Sequence, residues 1–221
     1  MRYGGGMTAA WTESLLALVR KTSADLPRDV EAALRAARRR EAAGSPARWA
    51  LDTILDNVRL ARARGAPLCQ DTGSVHLYAR VPHGFDARPL ERGFRAAVRT
   101  ATRRGWLRPN TLDPVTGASR PDNLGAGAPA LHLDFERRAD CELRLLLKGG
   151  GSENVGAQYS LPDTALRAGR DLEGARRCVL DAVLKAQGNG CAPGVLGVCI
   201  GGDRASGAAA AKRQLLRPLA D

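Results

Sequence analysis

Apolar positions recur at helical spacing through the first third of the 221-residue chain. The pattern predicts helices over residues 12–21, over 28–43 behind Pro27, and over 47–64 behind Ser45-Pro46. In the third of these, Ala50, Ile54, Leu55, Val58 and Ala61 make one apolar stripe, closed by Gly65 and Pro67. The period then shortens to two. Residues 75–81 alternate as a strand does, and residues 130–135 and 141–148 read as two further strands. The turn Arg137-Arg138-Ala139-Asp140 between those two suggests a hairpin. Residues 90–104 predict a helix and 106–127 a long polar loop, of a length that is often functional in a compact domain. Further on, residues 172–186 predict a helix, 194–200 a short buried strand, and 205–219 a helix entered from Gly201-Gly202. The expected fold class is α/β of the mixed α+β kind, a helical N-terminal region followed by a mixed sheet flanked by helices. One domain is expected over residues 11–221, behind a disordered tail over residues 1–10 that contains Gly4, Gly5 and Gly6. The chain stops at Asp221 immediately after the last predicted helix, with no capping glycine, so a domain truncated at its C-terminus is expected.

A hydrophobic content of 44% is ordinary for a chain that buries a core. Arg or Asp interrupts every apolar run before the roughly 20 residues a membrane span needs, and the N-terminus lacks a signal peptide's apolar block. The net charge of +11 and a pI near 10.3 raise the question of nucleic acid. Other features argue against it. Lysine occurs only at Lys21, Lys148, Lys185 and Lys212, so the excess is arginine, which with abundant alanine reflects GC-rich coding. Arg38, Arg39 and Arg40 fall on a predicted helix as a solvated face, and three each of Phe, Tyr and Trp supply no stacking platform. The five cysteines, Cys69, Cys141, Cys178, Cys191 and Cys199, are odd in number and widely spaced, which suits a reducing cytoplasm rather than a disulfide framework.

Three glycine-bounded segments carry the candidate chemistry. Cys69-Gln70-Asp71-Thr72-Gly73 sets a soft ligand beside an amide, a carboxylate and a hydroxyl, although Asp-Thr-Gly alone is a common turn. Lys148-Gly149-Gly150-Gly151-Ser152-Glu153-Asn154 follows a strand, and its glycines let backbone N–H groups approach an anion closely. The spacing is not that of a nucleotide-binding loop, so a carboxylate is at least as good a guest as a phosphate, and a plain glycine turn stays open. Gly190-Cys191-Ala192-Pro193-Gly194 leads into Val195-Leu196-Gly197-Val198-Cys199-Ile200-Gly201-Gly202, with Cys191 at the mouth of the predicted strand. Cys199, inside that strand, reads as core, as do Cys141 and Cys178.

In this order the three segments resemble the N-terminal part of the class I fumarase and tartrate dehydratase α-subunit family. The likeness runs from about Trp49 to the C-terminus. The stretch from Leu107-Arg108-Pro109 to Pro121-Asp122-Asn123 is similar to the family's Leu-Arg and Asp-Asn-Thr-Pro-Ala region, but Leu124-Gly125-Ala126-Gly127 stands where a Thr is expected.

The resemblance implies a hydro-lyase that hydrates fumarate to malate, a reaction of the tricarboxylic acid cycle, with L-tartrate dehydration as the alternative. It implies a four-iron four-sulfur cluster with one iron left open as a Lewis acid. Cys69 and Cys191 match two of its ligands, and the third lies in a later segment that this chain does not contain. Gln70 and Asp71 fall where the family contacts substrate, with Asp71 suited to proton handling. Arg108 is the candidate carboxylate clamp, and Gly149, Gly150, Gly151, Ser152 and Asn154 are candidates for the other carboxylate. A β subunit or fused C-terminal catalytic domain is implied, in a homo-oligomer or heterotetramer, and the chain alone is expected to be inactive. A reading from another class is a basic binding module with structural zinc on Cys69, Cys191 and a histidine such as His76 or His83. Structural zinc sites usually pair cysteines two to four residues apart, a spacing absent here. His76, His83 and His132 each read as surface or satisfied strand histidines.

Overall fold

The computed structural model describes residues 4–191 and 194–219. They divide into two compact units, Met1–Gly149 and Gly150–Asp221, where a single domain over residues 11–221 was expected.

The first unit opens with three helices, α1 (Gly4–Ala24), α2 (Arg28–Arg40) and α3 (Pro46–Arg64). α1 takes in residues 4–10, which the sequence placed in a disordered tail. The reason lies on the partner helix α4 (Arg88–Arg103), where Gly93 has no side chain. A Cβ there would stand 2.7 Å from the Trp11 Cβ and 3.2 Å from the Thr8 carbonyl, so the glycine lets the first turns of α1 lie directly on α4. α3 is bounded as its sequence dictates. Ser45 caps it by accepting from the Arg48 N–H, Pro46 occupies the first turn, and Gly65 at φ 62° closes it in the left-handed region. Arg62 ties α3 to the preceding helical segment through Asp25 (2.7 Å) and Glu31 (2.5 Å). Of the basic cluster, Arg39 and Arg40 are exposed and Arg38 pairs with Asp52.

The sheet has the order β2-β1-β3, from β1 (Ser74–Pro82), β2 (Ala130–Glu136) and β3 (Glu142–Lys148). β1 pairs parallel with β2, from His76 with Ala130 to Pro82 with Glu136, and antiparallel with β3, from Ser74 with Lys148 to Arg80 with Glu142. β2 and β3 are therefore not a hairpin, as their short connection had suggested. The strands either side of α4 run parallel through a crossover, and β1 is the most deeply buried of the three, which puts it at the centre with the others as edges. Val75, Leu77, Ala79 and Val81 face Leu15 and Val19 of α1 and Leu90, Phe94, Ala97, Val98 and Ala101 of α4 in one core. The opposite face carries His76, Tyr78 and His132. His76 Nδ1 lies 3.2 Å from His132 Nε2, and the His132 ring stacks on Tyr78 at 4.3 Å.

The second unit holds α5 (Gly150–Asn154), α6 (Leu172–Ala186) and α7 (Arg204–Gln214). Asp171 caps α6, and Asp203 with Ser206 forms a capping box on α7. The buried strand expected over residues 194–200 is absent: the segment is coil and largely exposed.

Candidate active site

In the first unit the turn that enters β1 lies directly against the end of β3. Gly73 adopts φ 69°, and a side chain there would collide with the Lys148 carbonyl and the Gly149 amide. Asp71 is thereby laid over Gly149, where a Cβ would stand only 2.9 Å from its Oδ2. Asp71 Oδ1 accepts from the Gly73 N–H at 2.9 Å and from Asn110 Nδ2 at 2.7 Å, which fixes the plane of the carboxylate. Thr72 is buried, and its Oγ1 accepts from the Arg108 N–H at 3.1 Å. Cys69 and Gln70 stand exposed just ahead, after Leu68, whose N–H donates to the Ser23 carbonyl at 2.8 Å.

The loop that carries Arg108 is organised by one amide. Asn123, only 3% exposed and at φ 56°, accepts through Oδ1 from the N–H groups of Asn110 (2.9 Å) and Thr111 (3.1 Å) and from Thr111 Oγ1 (3.2 Å). Its Nδ2 donates to the Arg108 carbonyl (2.7 Å) and to Thr102 Oγ1 (3.0 Å). Arg108 is thus held by its backbone on both sides, beside buried Leu107, while its side chain is exposed. The first unit therefore gathers Asp71, Arg108 and Gly149 of the expected residues. Thr102, Asn110 and Asn123 were not singled out by sequence as site residues. Asp122-Asn123 marked a family-like stretch, but nothing in the sequence pairs Asn110 with Asp71.

In the second unit, Gly150, Gly151, Ser152 and Asn154 belong to the short helix α5, where a turn was expected. The Cys191 sulfur lies against Gly151, 3.0 Å from the position of a Cβ there, and Gly190 packs on Val155. Glu153 pairs with Lys212 of α7 at 2.5 Å. Ser152 and Asn154 are exposed, and Ala192 and Pro193 lie outside the described residues.

All five cysteines are free thiols, and their surroundings sort them. Burial pushes the Cys178 thiol up, with Asp163 and Asp181 adding to the effect, and burial with Asp140 does the same at Cys141. Both are held as neutral thiols, in keeping with a core role and poor as thiolate ligands. Cys69 and Cys191 are exposed. Cys199 is exposed too, contrary to the core reading, because the strand that was to bury it does not form. Among the described residues no group of three or more His, Cys, Asp or Glu side chains is gathered to hold a metal ion. His76 and His132 are engaged with each other, and His83 is exposed in a turn.

The family model for fumarate hydratase (Fumerase) matches residues 12–221. The chain belongs to that family. A Geobacillus stearothermophilus protein named for class I fumarate hydratase is 44% identical over 212 residues, 95% of this chain and 41% of its own length. A Methanocaldococcus jannaschii protein named for the L(+)-tartrate dehydratase α subunit is 29% identical over 215 residues, 95% of this chain and 73% of its own. The L(+)-tartrate dehydratase α subunit of Escherichia coli is 27% identical over 169 residues, 76% of this chain and 54% of its own. The chain thus spans less than half of the first of these relatives and part of the other two. No helix among the described residues is long and apolar enough to cross a membrane.

Proposed function

We propose that this chain is the α-type half of an iron-sulfur hydro-lyase that hydrates fumarate to malate. Family membership over residues 12–221 supports the class. The observation that carries the reading further is the seating of Asp71 over Gly149 with the Arg108 backbone bound to Thr72, which brings a carboxylate and the Arg108 segment to the start of the glycine run.

Each residue has a task in that reading. Asp71, its Oδ1 held by Asn110 and Gly73, handles a proton beside the reacting carbons, with Gln70 as neighbour. Arg108 clamps one substrate carboxylate through its planar fork, which its doubly anchored backbone aims. Gly149, Gly150 and Gly151 offer amides to the second carboxylate, with Ser152 and Asn154. Cys69 and Cys191 hold a four-iron four-sulfur cluster. The exposure of both thiols suits that ligation better than the half-buried setting of Cys141 or the burial of Cys178. When bound, the cluster would supply a Lewis acid for the water added in hydration and, in the reverse direction, for the departing hydroxide. The third ligand is one that these residues do not supply, and the remaining catalytic groups come from a β subunit or fused domain within an oligomer. Oxygen-sensitive chemistry of this kind belongs in a reducing cytoplasm, where free thiols persist.

L-tartrate dehydration is the second reading, favoured by the Methanocaldococcus jannaschii relative. Both acids need the same cluster, so substrate assay decides between them. The full-length protein with its partner half, reconstituted anaerobically with iron and sulfide, is expected to show cluster absorbance and to hydrate fumarate. Turnover of tartrate alone would replace the first reading with the second, and failure to bind any cluster would remove both.

A further inference from the structure

On the sheet face opposite the core, a chain of polar contacts in the first unit ends at the start of the glycine run. His132 of β2 stacks at 4.3 Å on Tyr78, itself only 6% exposed, which holds the plane of its imidazole. His132 Nε2 lies 3.2 Å from His76 Nδ1 across the parallel β1–β2 pair. His76 Nε2 lies 3.0 Å from Ser74 Oγ, and that oxygen lies 3.3 Å from the Lys148 carbonyl across the antiparallel β1–β3 pair. The donors available set every direction. The Lys148 carbonyl can only accept, so it takes the single hydroxyl hydrogen of Ser74. Ser74 Oγ therefore accepts from His76 Nε2–H, which leaves Nδ1 of the neutral ring to accept from His132 Nε2–H. The chain runs one way, from His132 through His76 and Ser74 to Lys148.

Its end point matters because a peptide group is planar. The Lys148 C=O and the Gly149 N–H belong to one such group, so fixing the oxygen fixes the direction in which the first amide of the glycine run points. Lys148 is the last residue of β3, and the glycines that follow have no Cβ to restrict their backbone. The same peptide lies against Gly73, and Asp71 lies over Gly149. We propose that His76 is a positioning residue for carboxylate binding. Through Ser74 it sets the Lys148–Gly149 peptide so that the Gly149 amide is presented to the substrate, while His132 and Tyr78 fix its tautomer and plane. The part this plays in turnover rests on the hydro-lyase reading, whereas the hydrogen-bonded chain and its hold on Gly149 do not.

Two measurements test these separately. Long-range nitrogen–proton correlation spectra of the histidine rings, taken on the chain in alkaline buffer, are expected to show His76 and His132 both as Nε2–H tautomers. In the same chain, Ser74→Ala and His76→Ala are expected to displace the Gly149 amide resonance. His76→Gln, whose side-chain amide can donate in place of Nε2–H, is expected to return it toward the wild-type position. In the full-length enzyme with its partner half, His76→Ala is expected to raise KM for fumarate by about tenfold with kcat changed by less than about threefold, the pattern of lost carboxylate binding, and His76→Gln to recover most of that loss. Ser74 is exposed, so Ser74→Ala tests the same link at little cost to folding, and its KM should rise alike. A His76 Nδ1–H tautomer overturns the proposal, as does a Gly149 resonance indifferent to both alanine variants. An unchanged KM in Ser74→Ala, or a loss that His76→Gln does not recover, also overturns it. A wild-type enzyme that hydrates nothing, beside the expected spectra, removes the hydro-lyase reading and leaves the hold on Gly149 standing.

Discussion

Replacing Asn123 by alanine removes five hydrogen bonds from a side chain only 3% exposed, three accepted by Oδ1 and two donated by Nδ2. A typical net worth of about 1 kcal/mol each sets an upper scale of about 5 kcal/mol. Two corrections act in opposite directions. Asn110 and Thr111 are half-buried and Arg108 is exposed, so water can reach some of the abandoned groups and return about 1–2 kcal/mol. Against this, φ of 56° suits asparagine better than alanine, which adds about 1 kcal/mol. The expected destabilisation is therefore about 4–5 kcal/mol. Asn123→Gly separates the two parts, because glycine loses the same bonds without the backbone strain and is expected to be about 1 kcal/mol less damaging than alanine. All three tryptophans, Trp11, Trp49 and Trp106, lie in the first unit, so their emission during urea unfolding reports that unit alone. At a slope near 2 kcal/mol per molar, the alanine midpoint should fall by about 2 M. A fall below 0.5 M would mean that the loop holds Arg108 without this amide, and a glycine variant no better than alanine would refute the strain argument.

Gly73→Ala and Gly149→Ala should part stability from function. The first forces φ 69° on a side chain aimed at the Lys148 backbone and is expected to cost the first unit at least about 2 kcal/mol by urea titration. The second presses on the Asp71 carboxylate and can cost the two hydrogen bonds that hold it, so the stability loss should stay within about 2 kcal/mol while turnover of the full-length enzyme falls by about tenfold or more. Cys69→Ser and Cys191→Ser are each expected to lose cluster absorbance after anaerobic reconstitution of the full-length protein, while Cys141→Ser and Cys178→Ser keep it. Equal loss from all four would erase the distinction drawn from burial. Tyr159 is pushed up to about 12 by burial, and then by the hydrogen bond its hydroxyl donates to Asp181. A phenol raised in the folded state holds its proton where the unfolded chain has lost it, so this group's contribution is complete below about pH 10 and is lost as pH rises toward 12. Ultraviolet titration of the wild type against Tyr159→Phe should show the missing phenol ionising near 12, and a midpoint near 10 would contradict the buried geometry.

The places where sequence and structure agree, and those where they differ, have a common physical root. Period and caps are local, so the helices and all three strands of the first unit were legible, as was the end of α3 at Gly65. Which strands become neighbours is not local. Residues 130–135 and 141–148 have the alternation and short connection of a hairpin. Pairing them would leave β1 at an edge, with Val75, Leu77, Ala79 and Val81 less well covered, so the chain places β1 between them instead. The candidate site divides in the same way. Asp71, Arg108 and the glycine run could be named from motifs, whereas Asn110 and Asn123 act through pairings 39 and 13 residues along the chain from their partners, which no pattern marks.

The strand expected over residues 194–200 differs from these cases in kind. Its apolar run predicts burial, and burial of a strand requires another strand beside it. The second unit as described contains helices and coil, so the local signal has no partner to satisfy it. A sequence of ordinary consistency does not spend Val195, Leu196, Val198 and Ile200 on solvent while Gly197 is kept bare to fit α7.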